Sequence, residues 1–337
     1  RRDEWSLNAR GERVRPRPYF KRVRFRVLPQ NATRILALKT GEIDETELPS
    51  PQWTDDTVDD AFYRGHTKVR SDEWTYTFIG WNAKSVPPNP FFGDRRVRLA
   101  MGLALEHEFL LNDLFRGISR AGVGVFHPDS WMAAKELKPL QRDLEKAADL
   151  LDEAGWKDSD GDGIRDKVVD GKLVPLEFPV TCPNAGTGPK VAALLHTNLK
   201  EIGVEGRVEL MDWVAFQERL TAHKLQVFLM AMGTGVDPDT ARNLWRTEAY
   251  TTGRNYVGYS NPEVDALLEK GRRELDPARR AEIYAQVDRL IYADHPITVL
   301  SYQPTLWAYS KSLRGYHPSP KGFYSYSPGF YSVWKKK

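Results

Sequence analysis

One short apolar stretch followed by a glycine-rich turn most restricts the fold that this chain can adopt. Residues 227–232 are apolar throughout and predict a buried strand, which stops where the segment 233–239, with two glycines and a proline, begins. A buried strand that opens into such a loop leaves backbone amides and side chains free at its carboxyl end. Because open α/β sheets bind ligands at that end, the stretch predicts an α/β domain with a ligand site after this strand.

Helix and strand signals alternate through the rest of the chain. Asp212 can cap a helix that starts at Trp213, and Asn261 followed by Pro262 is a strong helix start. The pattern predicts further helices over 31–39, 97–105, 109–115, 144–151, 191–202 and from 277, and strands over 43–48, 75–82, 204–210, 297–302 and 305–309. This alternation is typical of a layered α/β protein.

The length and charge of the chain limit its class. A chain of 337 residues is too long for one core and suggests two domains. Its apolar runs are far shorter than the roughly 20 residues that a membrane-spanning helix needs, and no export signal is visible at its start. The net charge of +3 is too small to indicate nucleic-acid binding, and the single cysteine, Cys182, excludes an internal disulfide and is predicted to be a packed residue.

The arginine-rich start of the chain has two interpretations. Val23, Phe25 and Val27 alternate with arginines, as the residues of a half-buried strand do. The pattern therefore predicts an edge strand over 23–27 whose arginines discourage further sheet pairing. The alternative is a patch that binds anions.

A longer motif resembles a known family. The segment 255–268 reads Asn-Tyr-Val-Gly-Tyr-Ser-Asn-Pro-Glu-Val-Asp-Ala-Leu-Leu and is preceded by the Asp-Pro pair at 237–238. It resembles the family 5 extracellular solute-binding proteins, the oligopeptide and dipeptide receptors of ABC importers. Residues 18–27, 41–44, 92–100 and 309–316 resemble landmarks of the same family in the same order.

The resemblance implies an α/β fold of the type II periplasmic-binding-protein class, with two α/β lobes, a hinge and a ligand cleft between the lobes. By analogy, lobe I comprises 1–81 plus 303–337 and is discontinuous and incomplete, and the carboxyl-terminal lobe comprises 82–302. Members of the family are longer than this chain. The amino-terminal part of the first lobe and a small inserted domain have no counterpart here, which implies a fragment.

The implied function is that of a bacterial periplasmic or cell-surface receptor, whose export signal is not in this sequence. It binds a peptide or peptide-like ligand between the lobes and delivers it to an ABC permease. The implied receptor is a monomer that needs no cofactor, contacts no nucleic acid, and meets the membrane only through the permease or a lipid anchor. An oligosaccharide or another neutral solute is the alternative ligand.

Motifs for catalysis are scarce in this sequence. There is no Gly-x-Ser-x-Gly elbow and no phosphate loop, and His107-Glu108 lacks a second histidine four residues after the first. We therefore expect a binding protein and not an enzyme. A hydrolase acting in the same cleft and a sensory scaffold are the alternatives of a different class.

Candidate ligand residues stand at predicted strand ends, crossings and loops. Aromatic side chains supply a large contact area at low entropic cost, which suits a receptor cleft. The candidates are Trp81, Asn82, Trp213, Met232, Gly233, Thr234, Asp237 and Tyr302.

One position bears on the ligand. Peptide-binding members of the family carry Gly-Trp-x-x-Asp-x-x-Asp/Glu-Pro, and the first Asp pairs with the α-ammonium of the peptide. This sequence has Ala231 at the Trp position and Thr234 at the Asp position. A neutral hydroxyl cannot offset a desolvated ammonium as a carboxylate does. Either ligand recognition differs, or Asp237 takes over the task.

An aspartate-rich segment resembles a calcium loop. Asp158, Asp160, Asp162 and Asp166 occupy positions 1, 3, 5 and 9, and a glycine stands at position 6. The twelfth position is Val169, so the usual bidentate glutamate is missing. The segment predicts either a structural calcium site formed by the four aspartates or a polar turn without metal.

Overall fold

The computed structural model describes residues 19–28, 30–316 and 332–336, and the backbone of 6–7 and 13–14. The chain divides into two compact units: a smaller unit, 1–73 with 304–337, and a larger unit, 74–303. The strand at 75–81 thus belongs to the larger unit, whereas the sequence placed it in lobe I. No helix among the described residues is long and apolar enough to cross a membrane.

Helices and strands alternate along most of the chain. The helices are α1 (Asn31–Lys39), α2 (Asp60–Gly65), α3 (Arg95–Ala104), α4 (His107–Phe109), α5 (Leu144–Glu153), α6 (Gly188–Lys200), α7 (Trp213–Thr221), α8 (Arg242–Trp245), α9 (Ala249–Thr252), α10 (Pro262–Arg273) and α11 (Pro277–Asp294). The π-helical turns are Gln52–Asp56 and Leu110–Leu114, and a 3-10 turn spans Pro238–Ala241. The strands are β1 (Ser6–Leu7), β2 (Arg13–Val14), β3 (Glu45–Glu47), β4 (His66–Ser71), β5 (Thr75–Trp81), β6 (Arg120–Ala121), β7 (Asp166–Val169), β8 (Lys172–Pro175), β9 (Glu177–Pro183), β10 (Glu205–Met211), β11 (Val227–Gly233), β12 (Ile297–Tyr302), β13 (Thr305–Ser310), β14 (Leu313–Arg314) and β15 (Trp334–Lys335).

The smaller unit contains a three-stranded antiparallel sheet in the order β3-β13-β4. Helix α1 has the bounds that the sequence predicted, and the chain turns after it at Gly41, whose φ of +74° suits a residue without a Cβ. The core of this unit is small. The buried residues of its main apolar cluster are Ile35, Leu38, Leu48, Phe62 and Ala308.

The predicted strand over 23–27 is wrong. The described residues 22–28 have no regular structure, and Phe25 and Val27 are each 90% exposed. No strand pairing in the described part of the chain involves this segment. Alternation of apolar and charged residues gives a strand only where a neighbouring strand accepts its backbone hydrogen bonds and covers its apolar face.

The larger unit is built on a six-stranded mixed sheet in the order β10-β9-β11-β5-β12-β6. Helices α3, α5 and α6 pack on one face, and α7, α10 and α11 pack on the other. Strand β11 contributes side chains to the cores on both faces. Val227 and Leu229 pack in the core with α3, α5 and α6, and Phe228 packs in the core with α7, α10 and α11. Apolar side chains alternate in this way because successive residues of a strand face opposite sides. The predicted layered α/β fold is confirmed.

The motif at 255–262 holds two helices together. Asn255 accepts a hydrogen bond from the Tyr259 amide at 2.9 Å and donates to the Tyr259 carbonyl at 2.7 Å. The Tyr259 hydroxyl and the Asn261 amide group both donate to Asp294 Oδ2, at 2.7 and 2.8 Å, at the end of α11. Asn261 also caps α10, as predicted, by accepting from the amides of Glu263 and Val264. The motif therefore fixes the start of α10 against the end of α11.

We expect Tyr259→Phe to lower the free energy of unfolding by about 1 to 2 kcal/mol, because a buried hydroxyl loses its bond to a charged acceptor. Urea unfolding of the whole protein would measure the change. Tyr256→Phe is the matched control, since no hydrogen bond of the Tyr256 hydroxyl is described. Equal stability of the two variants would contradict this role of Tyr259.

Candidate functional site

Four strands of the larger sheet end at the same edge. Strands β9 and β10 are parallel, and Pro183 lies opposite Met211 at their carboxyl ends. Strand β11 runs parallel to β9 and ends at Gly233, opposite Thr75. Strand β12 also ends here at Tyr302, because β11 and β12 are both antiparallel to β5. We call this edge, with the residues that directly follow the four strands, the carboxyl edge.

Trp213 is the prominent side chain of the carboxyl edge. It is the first residue of α7, directly after β10, and it is 58% exposed. Its ring stacks on Phe216 with a centroid distance of 5.9 Å and an interplanar angle of 20°. Asp212 caps the helix, as predicted, by accepting from the amides of Val214 and Ala215. One face of the Trp213 indole therefore packs on Phe216, and the other face is exposed to solvent.

The loop after β11 is tied back to the start of β5. Thr234 is buried, and its backbone amide and its hydroxyl donate to the Trp74 carbonyl at 2.8 and 3.2 Å. The Thr240 hydroxyl donates to the Thr234 carbonyl at 2.8 Å. Gly233 is exposed and Met232 is half-buried beside it. The hydroxyl of Thr234 therefore serves the loop conformation, while Gly233 and Met232 are accessible.

Asp237 forms an ion pair with Arg280. It caps the 3-10 turn by accepting from the Asp239 amide at 2.9 Å, and Arg280 of α11 approaches its two oxygens at 3.1 and 3.3 Å. Although burial alone would raise the pKa of Asp237, the hydrogen bonds from Arg280 and Asp239 hold that pKa below its usual range. The guanidinium of Arg280 also lies 5.5 Å from the ring of Trp131. A ligand ammonium would have to compete with Arg280 for this carboxylate.

Trp81 and Asn82, which the sequence predicts as ligand residues, do not lie at the carboxyl edge. Trp81 pairs with Val227 at the opposite end of β11, because β5 runs antiparallel to it. Both side chains are fully buried. The Trp81 indole donates to Thr298 Oγ1 at 2.9 Å, and the Asn82 amide group donates to the Leu225 carbonyl at 2.9 Å. They stabilise the core and present no surface to a ligand.

Tyr302 is at the carboxyl edge but points into the protein. Its side chain is 2% exposed, and its hydroxyl donates to the carbonyls of Gly124 and Phe126 at 2.6 and 3.2 Å. Its pKa lies well above the usual range, first because of burial and second because of the charge of Asp288. In this structure the hydroxyl of Tyr302 holds the segment after β6 through these two hydrogen bonds.

A buried histidine supports the interior around Trp81. His295 ends α11 with a left-handed φ of 51°, and its Nε2 lies 2.9 Å from Thr298 Oγ1, the acceptor for the Trp81 indole. Burial, and then the charges of Arg98, Arg95 and His107, lower the pKa of His295 to about 3. The imidazole of His295 is therefore neutral in the folded protein at neutral pH.

The aspartate-rich turn is closed by its own backbone. Asp158 accepts from the amides of Gly161 and Gly163 at 2.7 and 3.0 Å, and Asp166 accepts from the amide and hydroxyl of Ser159 at 2.9 and 2.5 Å. Among the described residues, oxygens of Asp158, Asp160 and Asp166 lie within 4.8 Å of one another. Asp162 is not in that group, and its Oδ1 accepts from the Ile164 amide at 2.7 Å. Three of the four predicted ligands are therefore near enough to share a hard cation, and the same carboxylates also explain a polar turn.

Asp158→Ala should lower the free energy of unfolding by about 1 kcal/mol without calcium, because two backbone amides lose their acceptor. Asp160→Ala should cost less, since Asp160 accepts one long bond of 3.3 Å. Thermal unfolding with a chelator would measure both. With millimolar calcium instead, a rise in Tm that Asp160→Ala abolishes would support the calcium site, and an unchanged Tm would leave only the polar turn.

His295→Asn should flatten the pH dependence of stability. The folded pKa of His295 lies below that of an unfolded histidine, about 6.5, so His295 contributes stability above pH 6.5 that is lost as the pH falls toward 3. Asparagine tolerates the left-handed backbone and does not titrate. Between pH 6.5 and 4.5 the wild type should therefore lose about 1 kcal/mol more per pH unit than the variant. Parallel slopes in urea unfolding would contradict this assignment.

Similarity to known proteins agrees with this architecture. Residues 2–253 match the family model described as bacterial extracellular solute-binding proteins, family 5 Middle. The oligopeptide-binding protein AppA of Bacillus subtilis (strain 168) is 29% identical over 302 residues, which cover 88% of this chain and 53% of AppA. The chain thus spans about half the length of the curated relatives it matches.

Solved structures show the same fold. The structure of AppA from Bacillus subtilis in complex with a nonapeptide has a TM-score of 0.80 and 26% identity, covering 92% of this chain and 60% of that one. NikZ from Campylobacter jejuni in complex with Ni(L-His) has a TM-score of 0.73 and 26% identity, covering 86% and 56%. The fold is that of the type II periplasmic binding proteins. The chain belongs to the bacterial extracellular solute-binding proteins of family 5.

Proposed function

We propose that this chain is part of a bacterial extracytoplasmic receptor that binds a peptide or peptide-like ligand at the carboxyl edge and delivers it to an ABC permease. The observation that carries the proposal is the exposed indole of Trp213 at the same edge of the sheet as the accessible Met232 and Gly233. Membership in a family that includes oligopeptide- and dipeptide-binding proteins supports the ligand class. The role requires binding and release but no catalytic step.

The chemistry of the edge suits an extended ligand. A flat indole offers a large apolar contact at little entropic cost, and the exposed Gly233 and Gly235 let a ligand backbone approach the loop closely. Thr234 and Asp237 are engaged within the protein, by Trp74 and Arg280. Apolar contact and backbone hydrogen bonds therefore contribute more to affinity in this loop than a carboxylate-ammonium pair does.

A neutral ligand such as an oligosaccharide is the second candidate. The observation in its favour concerns the loop after β11. Residue 234 is a neutral threonine that is hydrogen-bonded to Trp74, and the carboxylate of Asp237 is paired with Arg280. Tryptophan faces also stack well on sugar rings, as Trp213 could. Both candidates predict a monomeric receptor without a required cofactor.

Native mass spectrometry of the whole natural protein separates the two candidates. The complex is measured as purified, and the molecule that denaturation releases is then identified. A released peptide supports the proposed receptor, and a released sugar supports the neutral-solute alternative. Turnover of a hydrolysable ligand would contradict both.

Trp213→Ala should weaken binding of the released ligand at least fivefold, because truncating an exposed aromatic contact at the centre of a site costs about 1 kcal/mol or more. Isothermal titration of the ligand-free whole protein would measure the change. Phe109→Ala is the matched control, since Phe109 is an aromatic residue of α4 that is 44% exposed and outside the carboxyl edge. Equal affinities of the two variants would contradict the placement of the site.

A further inference from the structure

A cavity lies beside the outer strand β6 of the larger sheet. After β6 the chain runs through residues 122–143 without a helix or strand, and this segment and Asp288 of α11 line a partly open space of about 290 Å³. Irregular segments of this length inside a compact domain are uncommon and are frequently functional. The polar side chains that line the space are Arg120, Lys135, Lys138 and Asp288.

The floor of the cavity carries a buried anion. Asp288 of α11 is 1% exposed, and it accepts hydrogen bonds from the amides of Val125 at 2.8 Å, Phe126 at 3.4 Å and Ala134 at 3.1 Å. The first two bonds go to Oδ1 and the third to Oδ2. A carboxylate has about four acceptor positions, so one position on Oδ2 is left.

Asp288 has no cationic partner among the described residues. Burial raises the pKa of Asp288 to about 6, the three amide hydrogen bonds oppose the rise, and the charge that adds to it is Glu136, another anion. Buried carboxylates are normally paired with a positive charge or a metal ion, since removing a charge from water is unfavourable. The floor of the cavity therefore favours a positively charged group.

The other charged side chains of the cavity are cations. Arg120 pairs with Asp129 at 2.7 Å, and Lys135 Nζ donates to the carbonyls of Pro128 and Ser130 at 2.5 Å each. The exposed Lys138 also lines the space, and its ammonium group has no hydrogen bond or ion pair in the described part of the chain. A ligand with a negative group near Lys138 would be stabilised.

We propose that this cavity binds a small zwitterion of the α-amino-acid class, with its ammonium group on Asp288 and its carboxylate toward Lys138. The two opposite charges of such a ligand match the anion of the floor and the cations around it. A lone carboxylate would meet the charge of Asp288, and a lone metal ion would need several oxygen ligands where three of the four acceptor positions of Asp288 are taken.

The proposal is tested by titrating the whole protein with L-alanine and following the amide resonances of Val125 and Ala134 by NMR. We expect saturable shifts with a Kd in the millimolar range or below, weaker shifts with methylammonium and none with acetate. Trp213→Ala should leave these shifts unchanged, which separates the cavity from the carboxyl edge. Absence of shifts up to about 50 mM alanine, well above the range of weak specific sites, would overturn the proposal.

Lys138→Glu supplies the decisive variant, because Lys138 is exposed and its replacement does not disturb the core. It should weaken alanine binding by about three- to tenfold, since an attraction at the protein surface becomes a repulsion. Lys190→Glu is the matched control on α6, where the lysine is also exposed. Equal affinities of the two variants, or equal shifts with methylammonium and alanine, would show that no zwitterion is recognised here.

Discussion

The antiparallel ladder between β5 and β11 is the constraint on which the rest of the larger unit depends. It joins the residues from Val227 to Gly233 with those from Trp81 to Thr75 at the centre of the sheet. Strand β12 pairs antiparallel with the other side of β5 and therefore runs in the same direction as β11. As a result, the carboxyl ends of β9, β10, β11 and β12 lie at one edge. This arrangement places the accessible Trp213, Met232 and Gly233 at the same edge of the sheet.

Polar groups around the sheet mainly fix loops and helix ends. Thr234, Tyr302 and Asp288 all bind backbone groups of irregular segments, and Asp294 receives the side chains of the motif at 255–262. Buried polar groups that are hydrogen-bonded to the backbone favour one arrangement of the chain. The family motif that is most visible in the sequence is therefore a structural element. The accessible ligand candidates stand elsewhere, at or just after the carboxyl ends of strands β10 and β11.

Signals that depend on neighbouring residues predicted the helices well. The burial and the partners of the candidate ligand residues depend instead on pairing between segments that are distant in the sequence. Asp212, Asn261 and Asp276 cap the helices that follow them, because a cap depends only on the next three residues. The burial of Trp81 and Tyr302 depends on the direction of β5 and on side chains far away in sequence, and the partner of Asp237 is 43 residues distant. Strand β9 was missed because Pro179 and Pro183 stand within its seven residues, and proline weakens a strand prediction. The edge strand predicted at 23–27 did not form, and no strand of the described part of the chain pairs with this segment.

Hydrogen–deuterium exchange of the whole protein, with and without its bound ligand, tests whether the ligand binds at the carboxyl edge. Binding there should slow amide exchange at residues 211–215 and 233–241. The aspartate-rich turn at 158–166 should exchange at the same rate in both states. Protection confined to other parts of the larger unit, with 211–215 and 233–241 unchanged, would contradict binding at the carboxyl edge.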